Sequence, residues 1–251
     1  MNKAYCYFVY WLTQQRLGDA IMHNYSDFVA ELIKAGFSFA DGGNNEGVFN
    51  LLKYGWHEEP PDSPIRWHTG DKETDPWEWR IRVLDERNDI AYSKLFFRKA
   101  GYITKEWYPY FLSVRRNNKS FEDEYRSGTI SHFAKRIYDI VDECGNISLH
   151  EIRRIAGFSR ADKSKFERAL TDLQMKMYLS ICGTQQRISQ MGKPYAWPSM
   201  VFCTTECFFG EEMFERATQI SAVEAINKIT EQVFILNPYA QEARVIKFIK
   251  G

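Results

Sequence analysis

Four of the seven tryptophans of this chain, Trp56, Trp67, Trp77 and Trp79, fall between residues 56 and 79, together with His57, His68, Asp71, Glu73 and Asp75. The densest run reads Trp67-His-Thr-Gly-Asp-Lys-Glu-Thr-Asp-Pro-Trp77-Glu-Trp79-Arg80. Indole rings offer flat faces for an aromatic ligand, and a carboxyl beside them can protonate a leaving group or orient a water. That equipment suits an extruded nucleobase or another aromatic small molecule. Asp75 is the candidate acid. Trp67, His68, Trp77, Trp79, Tyr92 and Lys94 are the candidate pocket. The plainer reading is packing: tryptophans fill cores, Asp75-Pro76 makes a turn, and Lys94 is a surface lysine. No phosphate-cradling Gly-x-x-x-x-Gly-Lys, dinucleotide glycine turn, His-Glu-x-x-His or Gly-x-Ser-x-Gly is present.

A second set, Arg160, Lys163, Ser164 and Arg168 with Arg187, Lys193 and Tyr195, carries cations and an aromatic ring suited to DNA. The segment from Ser148 to Phe202 must position it. Ser148-Leu-His-Glu151 has the form of a capping box, and the short helix that follows stops at Gly157. Ser159 caps a second helix, with Asp162 in its first turn and Phe166, Leu170, Leu173 and Met177 on one apolar face. Tyr178–Cys182 and Met200–Thr204 read as two strands joined by a polar loop. Two helices, a tight turn and a hairpin predict a winged helix-turn-helix, with Lys163, Ser164 and Arg168 facing away from the core. Glu167 and Asp172 would repel phosphate from that face. Winged helices also serve as protein-binding modules.

Around this unit, the sequence predicts helices at 4–16, 46–54, 130–144, 221–234 and 238–249. It also predicts a helix capped by Ser26 and ended by Gly36, one capped by Thr104, and a short strand at 79–84. Residues 58–64, with three prolines, read as an ordered loop. The expected fold class is α+β, mainly helical, with winged helix-turn-helix units and short β-hairpins. The expected domains are 1–120, helical and aromatic or a divergent winged helix, then a winged helix-turn-helix at 121–210 and a helical tail at 211–251.

Lys/Arg and Asp/Glu balance at 33 each, so no global polyanion signature exists. The balance is uneven, however. Residues 149–195 hold nine cations against four acids, a net of +5, and residues 80–120 ten against four, a net of +6. Such zones are what a local phosphate-contacting face requires, and solvated helix faces explain either one equally well. The run Tyr5–Leu12 is too short to span a bilayer, and no signal peptide is visible, so no membrane partner is expected. Five cysteines at irregular spacing favour reduced thiols and a cytoplasmic location. Cys182, Cys203 and Cys207 could meet across the hairpin. A zinc site there lacks a fourth ligand, which favours structural thiols and no metal.

Three stretches resemble the winged-helix DNA glycosylases of the AlkZ type, and specifically their AlkZ-related bacterial branch. They are Asp75-Pro-Trp77-Glu-Trp79-Arg80; Ile90-Ala-Tyr92-Ser-Lys94 through Tyr108-Pro-Tyr-Phe111 and Arg115-Arg116; and Phe166-Glu-Arg-Ala-Leu-Thr-Asp-Leu-Gln174. The resemblance implies tandem winged helices around a DNA channel and, in the AlkZ-type enzymes, metal-independent release of alkylated, crosslinked purines with no cofactor. Those enzymes hold their catalytic water with a Gln-x-Gln or Gln-x-Asp motif. Neither pattern occurs here, and the adjacent Gln14-Gln15 diverge on any regular element. Three readings follow. The first is a winged-helix protein that binds double-stranded DNA and acts in damage recognition or repair. The second is a monofunctional glycosylase or other hydrolase using an acid near Asp75. The third is a non-catalytic sensor of an aromatic small molecule.

Overall fold

Consecutive residues along the central strands are buried, so the sheet must be covered on both faces. The computed structural model describes residues 22–43, 47–189, 191–195 and 197–251. The helix expected at 4–16, with Cys6 and Gln14-Gln15, lies outside them. The strands are β1 (Phe37–Phe39), β2 (Ile90–Phe96), β3 (Lys99–Thr104), β4 (Ile147–Ser148), β5 (Leu179–Gln185) and β6 (Ser199–Thr204). They form one antiparallel sheet in the order β1-β3-β2-β5-β6-β4. One continuous sheet thus replaces the separate short hairpins of the sequence reading. Strands from before residue 120 make one half and later strands the other. The halves meet at a single pair, Tyr92 opposite Ile181. Side chains extend that seam: Ile181 N–H donates to Ser93 Oγ (3.0 Å) and Lys94 N–H to Gln174 Oε1 (3.0 Å).

Eleven described α-helices surround the sheet: α1 (Tyr25–Ala35), α2 (Pro76–Glu86), α3 (Tyr108–Arg116), α4 (Phe121–Arg126), α5 (His132–Cys144), α6 (Leu149–Ala156), α7 (Lys163–Met175), α8 (Thr205–Phe209), α9 (Glu211–Thr218), α10 (Ala222–Leu236) and α11 (Glu242–Lys250). One face of the sheet buries Phe28, Trp79, Tyr92, Tyr102, Phe166 and Ile181. The other buries Phe37, Phe39, Phe96, Phe111, Met177 and Phe248. The tail after residue 211 closes over the first half: Gln232 Nε2 donates to the Ala35 carbonyl (2.9 Å) and Asn237 Nδ2 to the Val48 carbonyl (2.5 Å). None of the helices is long and apolar enough to cross a membrane among the described residues.

Several local expectations are corrected. Residues 79–84 are helical within α2, not a strand, because Asp75 caps the helix, Pro76 starts it, and Trp79 and Val83 share its buried face. The cap of α1 is Asn24, whose Oδ1 accepts from Asp27 N–H (3.0 Å), and not Ser26. Thr104 ends β3, and α3 begins only after Trp107, whose N–H closes a turn onto the Thr104 carbonyl (3.0 Å). Residues 47–54 form no α-helix. Side chains recruit that backbone instead, Ser38 Oγ accepting from Leu51 N–H (2.9 Å) and Asn50 Nδ2 donating to the Gly43 carbonyl (3.0 Å). Ser148 forms no capping box: it is held in the β4–β6 ladder, and its hydroxyl meets His150 Nδ1 at 3.0 Å.

The interior is tied together by Arg115. Its guanidinium is buried and donates to the carbonyls of Leu95 (2.7 Å), Met175 (2.9 Å), Phe248 (2.9 Å) and Ile249 (3.0 Å). Burial pulls its pKa down to about 10, still cationic at neutral pH. Replacing Arg115 with Met leaves these carbonyls without their donor, and the expected loss is about 3 kcal/mol in urea denaturation. Arg115→Lys should recover less than half, because an ammonium lacks the planar fork that reaches several acceptors. An unchanged midpoint in Arg115→Met would refute this role.

Candidate nucleic-acid interface

The aromatic loop does not assemble as the sequence suggested. Asp75 is fully buried, and its carboxylate accepts four backbone N–H groups: His68 (3.0 Å), Thr69 (2.8 Å), Gly70 (2.9 Å) and Trp77 (2.8 Å). These bonds shape the 68–77 turn, with His68 in the left-handed region, and they cap α2. Each oxygen accepts two of these amides, and the side chain has no exposed surface. Trp79 is fully buried against Phe28 (ring centroids 4.9 Å apart), with its indole N–H on the Glu73 carbonyl. Tyr92 is buried against Tyr102, and burial raises its hydroxyl pKa. Trp77 is covered by the Arg80 guanidinium at 3.3 Å and flanked by His68 at 4.9 Å. Lys94 is exposed on β2. Of the six expected pocket residues, only Trp67 lines the large cavity of about 1000 Å³, with Phe49, Leu52, Tyr54, Ile65 and Tyr239.

Part of the basic set shares an element: Lys163, Ser164 and Arg168 lie on α7, with Arg160 in the turn before it. Ser159 Oγ donates to Asp162 Oδ2 (2.6 Å) in a capping box that opens with a 3-10 turn, Arg160–Asp162, before α7. From there, α7 buries Phe166, Ala169, Leu170 and Leu173. Arg160, Lys163, Ser164 and Arg168 stay exposed, Arg168 with 81% of its side chain accessible. The acids expected to oppose phosphate are already paired. Glu167 meets Arg153 (3.1 Å) and Lys163 (4.0 Å), while Asp172 meets Arg98 (2.5 Å) and Arg168 (4.0 Å). Arg98, from the β2–β3 turn, therefore joins this face, which sequence spacing did not reveal.

Between β5 and β6, the loop is held in hairpin form by Tyr195 N–H on the Arg187 carbonyl (3.0 Å) and Ser189 N–H on the Lys193 carbonyl (2.9 Å). The Arg187 guanidinium lies 5.5 Å from the Tyr195 ring. Lys193 is exposed, as are Ile188, Met191, Tyr195 and Trp197, the last 81% accessible. The sequence reading missed Trp197; its signal was a tryptophan next to Pro198 between two strands.

Two outcomes follow. Asp75→Ala should cost roughly 2–3 kcal/mol of stability, through the lost cap and unpaired buried amides, as read by thermal or urea unfolding; a wild-type melting curve would contradict this account. The Ser159 hydroxyl and amide hold the Asp162 carboxyl below the ordinary aspartate value of 3.8. Its capping contribution is therefore complete above that value and disappears as pH falls through the lower folded one. Carboxyl-carbon NMR should give a midpoint below 3.8 for Asp162, rising toward 3.8 in Ser159→Ala.

No curated protein and no solved structure gives a significant match to the chain. A family model described as AlkZ related matches residues 22–250, a span that includes both halves of the sheet, α7, the hairpin and the tail. The chain belongs to the AlkZ-related family.

Proposed function

We propose that this protein binds double-stranded DNA and acts in the recognition or repair of damaged bases, and that α5-β4-α6-α7-β5-β6 is a winged helix-turn-helix. The observation that carries the reading is the exposed cationic face of α7, accompanied in the same unit by a hairpin bearing Arg187, Lys193, Tyr195 and Trp197. A cationic helix supplies phosphate and groove contacts, and exposed apolar side chains can wedge between base steps. Family membership supports a connection to DNA repair. Residues 1–120, 121–210 and 211–251 would act as a platform, a DNA-reading unit and a closing tail in a cytoplasmic, bacterial protein. Glycosylase chemistry is not assigned to Asp75, whose oxygens are consumed by the turn.

The cavity lined by Trp67, Tyr54 and Phe49 supports a second reading, in which an aromatic small molecule or modified base is held there. Stabilisation of the protein against heat by free alkylpurines, lost in Trp67→Ala, would support it; flat curves across a panel of such bases would remove it.

For the first reading, Lys163→Ala combined with Arg168→Ala should weaken duplex binding and reduce the salt slope, log K against log salt, by about one for each lost phosphate contact. Fluorescence anisotropy at two or more salt concentrations measures both quantities. Unchanged affinity and slope would show that α7 is not the DNA-reading helix.

A further inference from the structure

The β2–β3 turn carries residues that its backbone does not favour. Phe96 pairs with Lys99, so Phe97 and Arg98 alone make the loop, and both have positive φ (48° and 64°). Positive φ at both loop residues is the signature of the type I′ hairpin, which ordinarily takes Asn-Gly, because a Cβ crowds the left-handed region. Packing offsets this at Phe97. Its ring stacks on buried Phe39, with centroids 6.2 Å apart, and Arg244 and Lys247 each lie 5.5 Å from it. Arg98 has no such packing: 49% of its side chain is exposed, and its N–H meets the weak acceptor Met175 Sδ (3.4 Å). Its guanidinium reaches across to α7, donating to Asp172 Oδ1 (2.5 Å) and to the Arg168 carbonyl (3.4 Å). A half-exposed ion pair contributes little to stability, so it does not offset the strained backbone. Strain held without a matching gain in packing points to a functional position.

The contact is arranged around an anion. Asp172 stands between two guanidiniums, with Arg98 at 2.5 Å from Oδ1 and Arg168 at 4.0 Å from Oδ2. One comes from the first half of the sheet and the other from α7, so the fold alone brings them together. A shallow cleft of about 470 Å³ opens there, lined by Arg98, Glu167, Arg168 and Thr171. The Glu167 carboxylate is matched by Arg153 (3.1 Å) and Lys163 (4.0 Å). Guanidinium forks receive a phosphate with the same geometry as a carboxylate.

We propose that Arg98 and Arg168 form a clamp for a phosphate of the DNA backbone, and that Asp172 is the internal anion occupying it until the phosphate displaces it. The inference rests on the duplex-binding reading and extends it: the cationic track of α7 continues onto the β2–β3 turn, so the duplex touches both halves of the sheet. Asp172 therefore opposes binding, because its carboxylate competes for the same two cations.

The test titrates labelled duplex with the full chain at several salt concentrations, read by fluorescence anisotropy, with a thermal melt of each variant. Arg98→Gln should weaken binding about three- to tenfold near about 0.1 M salt and reduce the salt slope by about one. Asp172→Asn should do the opposite and tighten binding by about twofold or more, since both guanidiniums are released. In the double variant that gain should shrink by at least about half, because Arg98 is no longer there to be released. A mere strut between the turn and α7 would lower the melting temperature of both single variants while leaving affinity and slope alone. That result, or an equal gain from Asp172→Asn with and without Arg98, overturns the clamp. Wild-type protein without salt-dependent duplex binding overturns the duplex reading as well, whereas wild-type binding matched by Arg98→Gln removes the clamp alone. Should Arg98→Gln fail to fold, Asp172→Asn decides: no gain in affinity refutes the clamp.

Discussion

A buried guanidinium with no carboxylate beside it among the described residues is a severe constraint, because a charge removed from water must be met by dipoles from every side. Arg115 meets it with carbonyls from β2, from the end of α7 and from the last turn of α11. The two helix ends add their negative poles, which suit a cation. Three segments distant in sequence must therefore converge before this charge becomes tolerable. Arg116 extends the clamp, donating to the Met177 carbonyl (2.5 Å) and pairing with Glu206 (2.6 Å). Thr205 Oγ1 donates to the same Met177 carbonyl (2.7 Å), and the Tyr108 hydroxyl meets Thr205 at 3.3 Å. The tight exit from α7, where Met177 takes a left-handed conformation, is held by this cluster.

That clamp decides which way α7 faces. Its end is held by Arg115 at Met175, by Gln174 at Lys94 and by Lys176 paired with the buried Glu124 (2.8 Å). With one face fixed inward, Lys163, Ser164 and Arg168 can only point outward. The electrostatics of that outer face are softer than a count of charges suggests, since Glu167 and Asp172 are already matched by Arg153 and Arg98. Exposed pairs of this kind contribute little to stability. Here they temper local repulsion toward an anionic partner.

The residues that carry the family likeness are, in this chain, largely structural. Asp75 builds a turn, Arg115 and Arg116 clamp three segments, and Gln174 with Ser93 extends the seam between the sheet halves. Their side chains satisfy buried backbone groups, and such groups tolerate few substitutes. The likeness therefore reports a shared architecture more directly than a shared reaction.

Local patterns in the sequence determined much of this protein. The apolar stripe of α7, the stop at Gly157, the strands on either side of residues 186–198 and the helical tail all arise from periodicity and turn chemistry that act within a few residues. Local patterns failed where distant groups competed for the backbone. Residues 79–84 have strand-like composition, yet the Asp75 cap and the Trp79–Phe28 stack make them helical. Residues 47–54 look helical, yet Ser38 and Asn50 hold them irregular. The aromatic cluster between 56 and 79 looked like a pocket because composition cannot distinguish a ring that faces a ligand from one that faces the core. Only tertiary contact placed Trp79 and Tyr92 inside, left Trp67 at the cavity, and brought Cys182 of β5 and Cys207 of α8 to one asparagine oxygen. The physical reason is range: helix stripes and turns are specified by neighbours in sequence, whereas burial and side-chain convergence depend on segments that meet only when the whole chain closes.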